Sequence, residues 1–289
     1  MEGILIKRYG GFYYVASEGK VWICRLRGKF RRGEEPLPGD RVYFTPLSRE
    51  EGVIEGIGER RVLLERPTVA NVDQAVLVFS LAAPPPDLQL LDRLLFLSAV
   101  KDLECLIVWN KVDIAEAENL KWPEVYTRAG YRNLMVSALT GEGLEELKEH
   151  LKGKISTLAG PSGAGKTSLL NALFPHLNLP VGELSAKLGK GRHTTRHVEL
   201  LPLPTGGWVA DTPGFSRLNL PRLAPQEVAR YFKEMEPLIG KCRFKSCLHR
   251  SEPGCAVREA VEAGLIAPHR YEHYLDFLEE IMELERRYP

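Results

Sequence analysis

Over roughly the first 64 residues, apolar and aromatic positions alternate with polar ones in short runs broken by Gly and Pro. The runs at Tyr9–Ala16, Val21–Arg27, Asp40–Thr45 and Gly52–Ile57 predict four or five short strands, which fit a small barrel. The period changes after Thr68. Continuous apolar runs at Ala75–Phe79, Cys105–Trp109, Leu134–Ser137 and Ile155–Ala159 predict buried strands. Helical periodicity at Leu88–Val100, Leu144–Leu151 and Thr167–Leu173 falls between and after them. Strands alternating with helices predict a parallel sheet covered on both faces. Two further strands, His197–Leu203 and Trp208–Asp211, flank a tight turn at Pro204–Gly207. Beyond Pro225 the pattern is helical, apart from a cysteine-rich loop at 242–255. The expected organisation is an all-β barrel at 1–64, an α/β domain at 65–222 and a helical domain at 223–289, with no internal repeat.

Composition narrows the class. A chain of 289 residues with 44% hydrophobic content and net charge +1 is too apolar and too neutral for a disordered protein. The segment Met1–Arg8 lacks the apolar run of a signal peptide, and the longest apolar stretch, near Ala75–Ala83, is too short to span a bilayer. A cytoplasmic protein without membrane contact is therefore expected. Five cysteines, an odd number, argue against a disulfide framework and leave metal ligation or burial.

Gly160 to Thr167 matches the pattern G-x4-G-K-[ST], between a predicted strand and a predicted helix. In such a loop the backbone N–H groups of Gly160, Ser162, Gly163, Ala164, Gly165 and Ser168 cradle phosphates. Lys166 neutralises the β- and γ-phosphates, and the Thr167 hydroxyl ligates Mg²⁺. By chance the four fixed positions arise in roughly one chain in a hundred of this length. Asn110, Lys111 and Asp113 follow directly on the strand at 105–109, at a strand carboxyl end, where open α/β sheets bind ligands. A carboxylate at Asp113 accepts from both the ring N–H and the exocyclic amine of guanine, a pair that adenine lacks. Asn110 and Lys111 would brace the loops. Ser137 and Ala138 could offer a backbone N–H to the guanine carbonyl. Asp211 and Gly214, after the strand at 208–211, suit a carboxylate reaching Mg²⁺ and an N–H reaching the γ-phosphate. Between them and the phosphate loop, Gly189–Arg196 supplies the hydroxyls of Thr194 and Thr195.

These parts predict a GTPase whose motif order is permuted, the guanine-reading segments preceding the phosphate loop. Phe215 follows Gly214, where many signalling GTPases carry a water-orienting Gln, so another group must orient the attacking water. His193, beside the threonines, either does so or merely packs in its loop.

Cys242, Cys247, His249 and Cys255 place three thiols and an imidazole within 14 residues. Four protein ligands satisfy a tetrahedral Zn²⁺ and imply a structural site. Cys24 and Cys105 fall in predicted strands and are expected to be buried. Arg25, Arg27, Lys29, Arg31 and Arg32 form a basic run without an acid, beside Trp22 and Phe30 as stacking surfaces. A second basic run covers Lys241–Arg250. The two runs carry +9, so the remaining chain sums to −8 behind the net +1. Either run alone reads as a solvated face; together, flanking a GTPase, they point to RNA.

With these motifs assembled, nearly the whole chain resembles the circularly permuted, small-ribosomal-subunit-dependent GTPases, the RsgA family, also called YjeQ or EngC. The resemblance implies an amino-terminal OB barrel, a permuted GTPase domain and a carboxyl-terminal α-helical zinc domain. It also implies ribosomal RNA and the small ribosomal subunit as partners, GTP hydrolysis stimulated by the subunit during late maturation, and His193 as the catalytic histidine. Arg196 stands where many members carry a third Thr, which leaves Thr195 favoured as the second hydroxyl on Mg²⁺. Gly163 stands where potassium-activated relatives carry Asn, so no potassium site is expected. The cofactors expected are one zinc and magnesium with GTP, in a monomer. The rivals are a P-loop kinase or ATPase, disfavoured by Asp113, and an RNA-binding module with a vestigial nucleotide site.

Overall fold

The computed structural model describes residues 1–28, 35–65, 68–83, 85–179, 198–210 and 218–287. Strands β1 (Glu2–Tyr9), β2 (Phe12–Ser17), β3 (Lys20–Leu26), β4 (Arg41–Pro46) and β5 (Glu51–Ile57) close into a barrel in the order β1-β2-β3-β5-β4. Closure comes from β4 returning antiparallel to β1, with Glu2–Ile4 opposite Arg41–Tyr43, while β3 and β5 run parallel. This is the small barrel that the amino-terminal pattern predicts, and it is OB-like, as the resemblance implies. Its interior is filled by Leu5, Val15, Trp22, Cys24, Val42, Phe44 and Ile54. β1 escapes the alternation rule because Ile4, Leu5 and Ile6 are all apolar. Leu5 enters the barrel core, whereas Ile6 belongs to the core of the neighbouring sheet, so the strand is covered on both sides. A bulge between Leu5 and Lys7 interrupts the pairing of β1 with β2.

Strand alternation also corrects one expectation. Trp22 points inward, only 9% exposed and tilted against Phe44 at 5.5 Å, so it offers no stacking surface to RNA. The outward positions of β3 are Val21, Ile23 and Arg25.

A short hairpin, β6 (Leu63–Glu65) with β7 (Thr68–Ala70), leads into the central sheet. That sheet comprises β8 (Gln74–Ser80), β9 (Glu104–Asn110), β10 (Asn133–Met135), β11 (Ile155–Ala159), β12 (Leu200–Pro202) and β13 (Trp208–Ala210). Its order is β10-β9-β8-β11-β13-β12, parallel except for β12. Odd positions of β8 (Ala75, Leu77, Phe79) belong to one core and even positions (Val76, Val78) to the other, as a strand buried on both faces requires. Helix α1 (Leu88–Val100) and helix α2 (Trp122–Arg128) pack on the first face. Helices α3 (Leu144–Leu151) and α4 (Lys166–Leu173) pack on the second. α2 was not legible in the hydrophobic period: only Pro123 and Tyr126 are buried in its seven residues. The strand expected at 134–137 stops at Met135, because Ser137 turns its hydroxyl to accept from the backbone N–H groups of Leu139 and Thr140. The strand expected at 197–203 is confined to β12 within the described residues.

Beyond residue 223 the chain is helical, as expected, although 225–231 and 236–238 are 3₁₀ turns rather than α-helix. Helices α5 (Ala256–Glu262) and α6 (Pro268–Arg287) follow. Their core, with Phe232, Met235, Tyr274, Phe277 and Ile281, includes Phe96 and Leu97 of α1. α1 therefore serves two cores, sending Leu91, Leu94 and Leu95 to the sheet and Phe96 and Leu97 to the carboxyl-terminal helices.

Arg270 on α6 reinforces that contact. It is 1% exposed, donates to Asp92 of α1 at 2.6 Å and to both oxygens of Glu234 at 2.6 and 3.0 Å, and lies over the rings of Tyr126, Tyr131 and Phe232. Asp92 also accepts from Tyr126 at 2.7 Å and pairs with His273 at 2.6 Å. Burial alone would raise the Asp92 carboxyl, but Arg270, His273 and Tyr126 outweigh it and hold the carboxyl below the usual range.

Candidate nucleotide site and metal centre

All five parallel strands end at one edge, and that edge gathers the motif residues. β11 runs into the phosphate loop and then into α4, whose N-cap is Gly165. Two glycines are dictated by close approach as well as by positive φ. A Cβ on Gly160 (φ 137°) would stand 2.0 Å from the Val78 carbonyl of β8. One on Gly165 (φ 90°) would stand 2.3 Å from the Asn110 amide that ends β9. The loop is thus seated across the ends of β8 and β9. Ser162, Gly163 and Ser168 are exposed, while Ala164 and Thr167 are buried.

Lys166 is 5% exposed, and its ammonium donates to the carbonyls of Gly160 (2.9 Å) and Pro161 (2.8 Å). Among the described residues no carboxylate pairs with it. Burial lowers its pKa from the ordinary lysine value. A buried cation answered, among the described residues, by two carbonyl dipoles is electrostatically ready for an anion.

Asn110 joins the two halves of the edge. Its amide donates to the Ala164 carbonyl in the phosphate loop at 2.9 Å, and its side-chain oxygen accepts from the Ala138 N–H at 3.2 Å. Asn110 thus links the Ala164 and Ala138 loops, and the Ala138 N–H is engaged by it. Lys111 takes a left-handed conformation (φ 65°) as N-cap of the 3₁₀ turn Val112–Ile114, which leaves Asp113 exposed at the edge. The Val112 N–H donates to the Val136 carbonyl at 3.2 Å, tying this turn to the Ser137 loop. β13 ends at Ala210, beside the phosphate-loop strand. Asp211 and Gly214 lie outside the described residues, as do His193, Thr194, Thr195 and Arg196.

In the carboxyl-terminal region, Cys242, Cys247, His249 and Cys255 converge, each offering one ligand atom within 4.8 Å of the others. His249 Nδ1 stands 3.5 Å from Cys242 Sγ and 3.4 Å from Cys255 Sγ, and the two sulfurs are 4.0 Å apart. Bonds of ~2.3 Å to sulfur and ~2.0 Å to nitrogen at tetrahedral angles require edges of about 3.5–3.8 Å, so the donor set fits a zinc-sized ion. Neighbouring groups hold the loop in shape. Glu252 accepts from the N–H groups of Leu248, Arg250 and Ser251, and Tyr271 and Tyr274 of α6 donate to the carbonyls of His249 and Leu248 at 2.7 Å. Glu252 and the two tyrosines could not be found from ligand spacing, because their role is to hold backbone rather than metal. The other cysteines lie apart: Cys24 is in the barrel core and Cys105 is half-buried on β9.

Of the first basic run, Arg25 lies over the Phe12 ring at 4.9 Å and Arg27 pairs with Glu55 at 2.8 Å, so part of its charge is answered internally. Lys29, Arg31 and Arg32 lie outside the described residues. In the second run, Arg243 covers Phe244, which is 44% exposed, and Arg250 pairs with Glu279.

Comparison with known proteins agrees with this architecture. The profile of the RsgA GTPase matches residues 57–221, and that of the RsgA N-terminal domain matches residues 2–54. The small ribosomal subunit biogenesis GTPase RsgA of Moorella thermoacetica is 64% identical over 289 residues, covering all of both chains. Its counterpart in Geobacillus thermodenitrificans is 50% identical over 292 residues, covering 99% of each. Among solved structures, YjeQ from Thermotoga maritima superposes with a TM-score of 0.85 at 41% identity, over 97% of this chain and 98% of that one. YloQ, a circularly permuted GTPase, superposes with 0.83 at 38% identity, over 100% and 96%.

Proposed function

Because the chain belongs to the RsgA GTPase family, we propose that it hydrolyses GTP while bound to the small ribosomal subunit and assists late maturation of that subunit. The observation that carries this reading is the double hydrogen bond of Asn110, which holds the phosphate loop and the Ala138 loop as one edge beside Asp113. A guanine and a triphosphate are the ligand whose two ends match that edge.

In this reading Asp113 accepts from the guanine N1–H and amine, and the loops around Asn110, Lys111, Ser137 and Ala138 frame the base. The phosphates lie over the N–H groups from Gly160 to Ser168. Lys166 exchanges its carbonyl partners for the β- and γ-phosphate oxygens and stabilises the charge that develops as the γ-phosphoryl group departs. Thr167, Thr195 and Asp211 would hold Mg²⁺, which supplies charge neutralisation between the β- and γ-phosphates. Gly214 would donate to the γ-phosphate, and His193 would orient the attacking water. Cys242, Cys247, His249 and Cys255 would hold zinc, which would serve a structural role.

The units are 1–64, a barrel contacting RNA through Arg25, Arg27, Lys29, Arg31 and Arg32; 65–222, the permuted GTPase; and 223–289, the zinc unit. The protein acts as a monomer in the cytoplasm; among the described residues no helix is long and apolar enough to cross a membrane. Nucleotide-dependent segments at 189–196 and 212–218 pass the nucleotide state to the zinc unit.

The test is co-sedimentation with small subunits in GDP or a non-hydrolysable GTP analogue, together with single-turnover hydrolysis. Tighter binding with the analogue and faster hydrolysis on adding subunits are expected. Absence of both would remove the ribosomal reading, and tighter ATP than GTP binding would remove the guanine assignment. Unchanged hydrolysis in His193→Ala would remove that residue's role.

A further inference from the structure

The chain that leaves the Asp211–Gly214 motif is captured, at the first described residues after it, by α1 and α6. Leu220 is 5% exposed in the core shared by Phe96, Phe277 and Ile281. Two residues earlier, the Leu218 carbonyl accepts from Arg93 Nη1 at 3.0 Å. The same guanidinium grips Glu280 of α6 with both arms, Nη1 to Oε1 at 3.1 Å and Nη2 to Oε2 at 2.6 Å, and its plane covers the Phe277 ring at 4.9 Å. One side chain of α1 therefore holds a main-chain carbonyl that follows the motif in sequence and a carboxylate on the carboxyl-terminal helix. Only a guanidinium can do this: it has enough N–H donors, in a fixed plane, to serve carboxylate and carbonyl together, whereas an ammonium is a single point of contact.

The position of Glu280 along α6 gives the contact leverage. Arg270 and His273 fix the amino-terminal half of α6 to Asp92 in a buried network. Glu280 lies ten residues beyond Arg270, about 15 Å along the helix axis, where the polar ties to α1 are the Gln89–Asp276 bond at 3.1 Å and the Arg93 fork. α6 is thus pinned at one end and tied at the other to the segment that follows the motif.

We propose that Arg93 is the positioning residue that couples the nucleotide state sensed at Asp211–Gly214 to α6, and through α6 to the metal-bearing loop that Tyr271 and Tyr274 support. The coupling deepens the ribosomal GTPase reading and rests on it. A bound γ-phosphate that shifts the motif moves the Leu218 carbonyl, and the fork transmits the displacement to Glu280. Arg93 touches no reacting atom.

The test uses the full-length protein and Arg93→Met, with Arg93→Lys and Glu280→Gln as milder variants should Arg93→Met fail to fold. Two readouts are taken with GDP and with a non-hydrolysable GTP analogue: hydrogen exchange along α6, and affinity for purified small subunits. In the parent protein, α6 exchange should differ between the nucleotides and subunit affinity should change by roughly tenfold, a usual size for coupling between sites. In Arg93→Met both differences should collapse to within about twofold, while basal single-turnover hydrolysis and nucleotide affinity stay within about twofold of the parent. Glu280→Gln should reduce the nucleotide-dependent ratio in the same direction. Variants that keep the parent's nucleotide-dependent differences would overturn the role of Arg93, as would a parent protein whose α6 exchange is the same in both nucleotides. A parent protein that hydrolyses GTP and shows the α6 difference, yet binds no subunits, would sink the ribosomal reading and leave the internal coupling standing.

Discussion

Lys166 and Arg270 are both buried cations, 5% and 1% exposed, and the molecule answers them in opposite ways. Arg270 is surrounded by compensation: two carboxylates, a tyrosine hydroxyl and three ring faces. Although burial opposes its charge, Asp92, Tyr131 and Glu234 raise its pKa well above the usual arginine value. Lys166 has two backbone carbonyls and, among the described residues, no carboxylate, and burial lowers its pKa. The first cation is satisfied by the fold and gains nothing from a ligand. The second keeps part of its desolvation cost, which an anion would relieve. How a buried charge is compensated therefore separates a group that holds the structure together from one that is set to bind.

That contrast can be broken in several places. Arg270→Ala takes the guanidinium away from the buried Asp92 and Glu234 carboxylates, leaving Asp92 only His273 and Tyr126, and urea unfolding should show a loss of about 3–5 kcal/mol. A loss under about 1 kcal/mol would mean that the network is not structural. Lys166→Ala should do the reverse. Single-turnover GTP hydrolysis should fall by about 10²–10³-fold while unfolding stability stays within about 1 kcal/mol of the parent. A large stability loss there would place Lys166 with Arg270.

Asn110→Ala tests the intermediate case, since this side chain is buried and also organises the edge. It should cost about 1–3 kcal/mol of stability through the orphaned Ala164 carbonyl and Ala138 N–H. GTP affinity, followed by titration, should weaken alongside.

The smallest effect is in pH dependence. Asp92 titrates below its unfolded value near 4, so its contribution is present above about pH 4 and is lost as pH falls through the lower folded value. Asp92→Asn should flatten that part of the acid limb of the stability curve. For Lys166 the fold disfavours the charged form instead: its folded pKa lies below its unfolded one, so the cost of its charge is fully present below the folded value and is relieved as pH rises through it.

The phosphate loop, the Asn110–Asp113 turn and the cysteine cluster were legible because each depends on residue types at close spacing. The sequence also sufficed for the long buried strands, since β8, β9 and β11 are continuous apolar runs and α1 carries an uninterrupted helical period. β1 was not legible, because its three consecutive apolar residues serve two different cores. Trp22 was misjudged as a surface for RNA because composition does not reveal which way a barrel strand faces its pleat. Glu252, Tyr271 and Tyr274 carry no motif at all.

Local chemistry along the chain thus determined the class of ligand edge, the metal donor set and the permuted order of the motifs, since each is written within a few consecutive residues. Tertiary structure alone decided that Asp92, Glu234 and Arg270 form one buried cluster, that Asn110 reaches both Ala164 and Ala138, and that Arg93 holds Leu218 and Glu280 together. Those partners lie tens to hundreds of residues apart. Which charge answers which is set by the packing of α1 against α6 and of the strand ends against one another, not by any pattern readable along the chain.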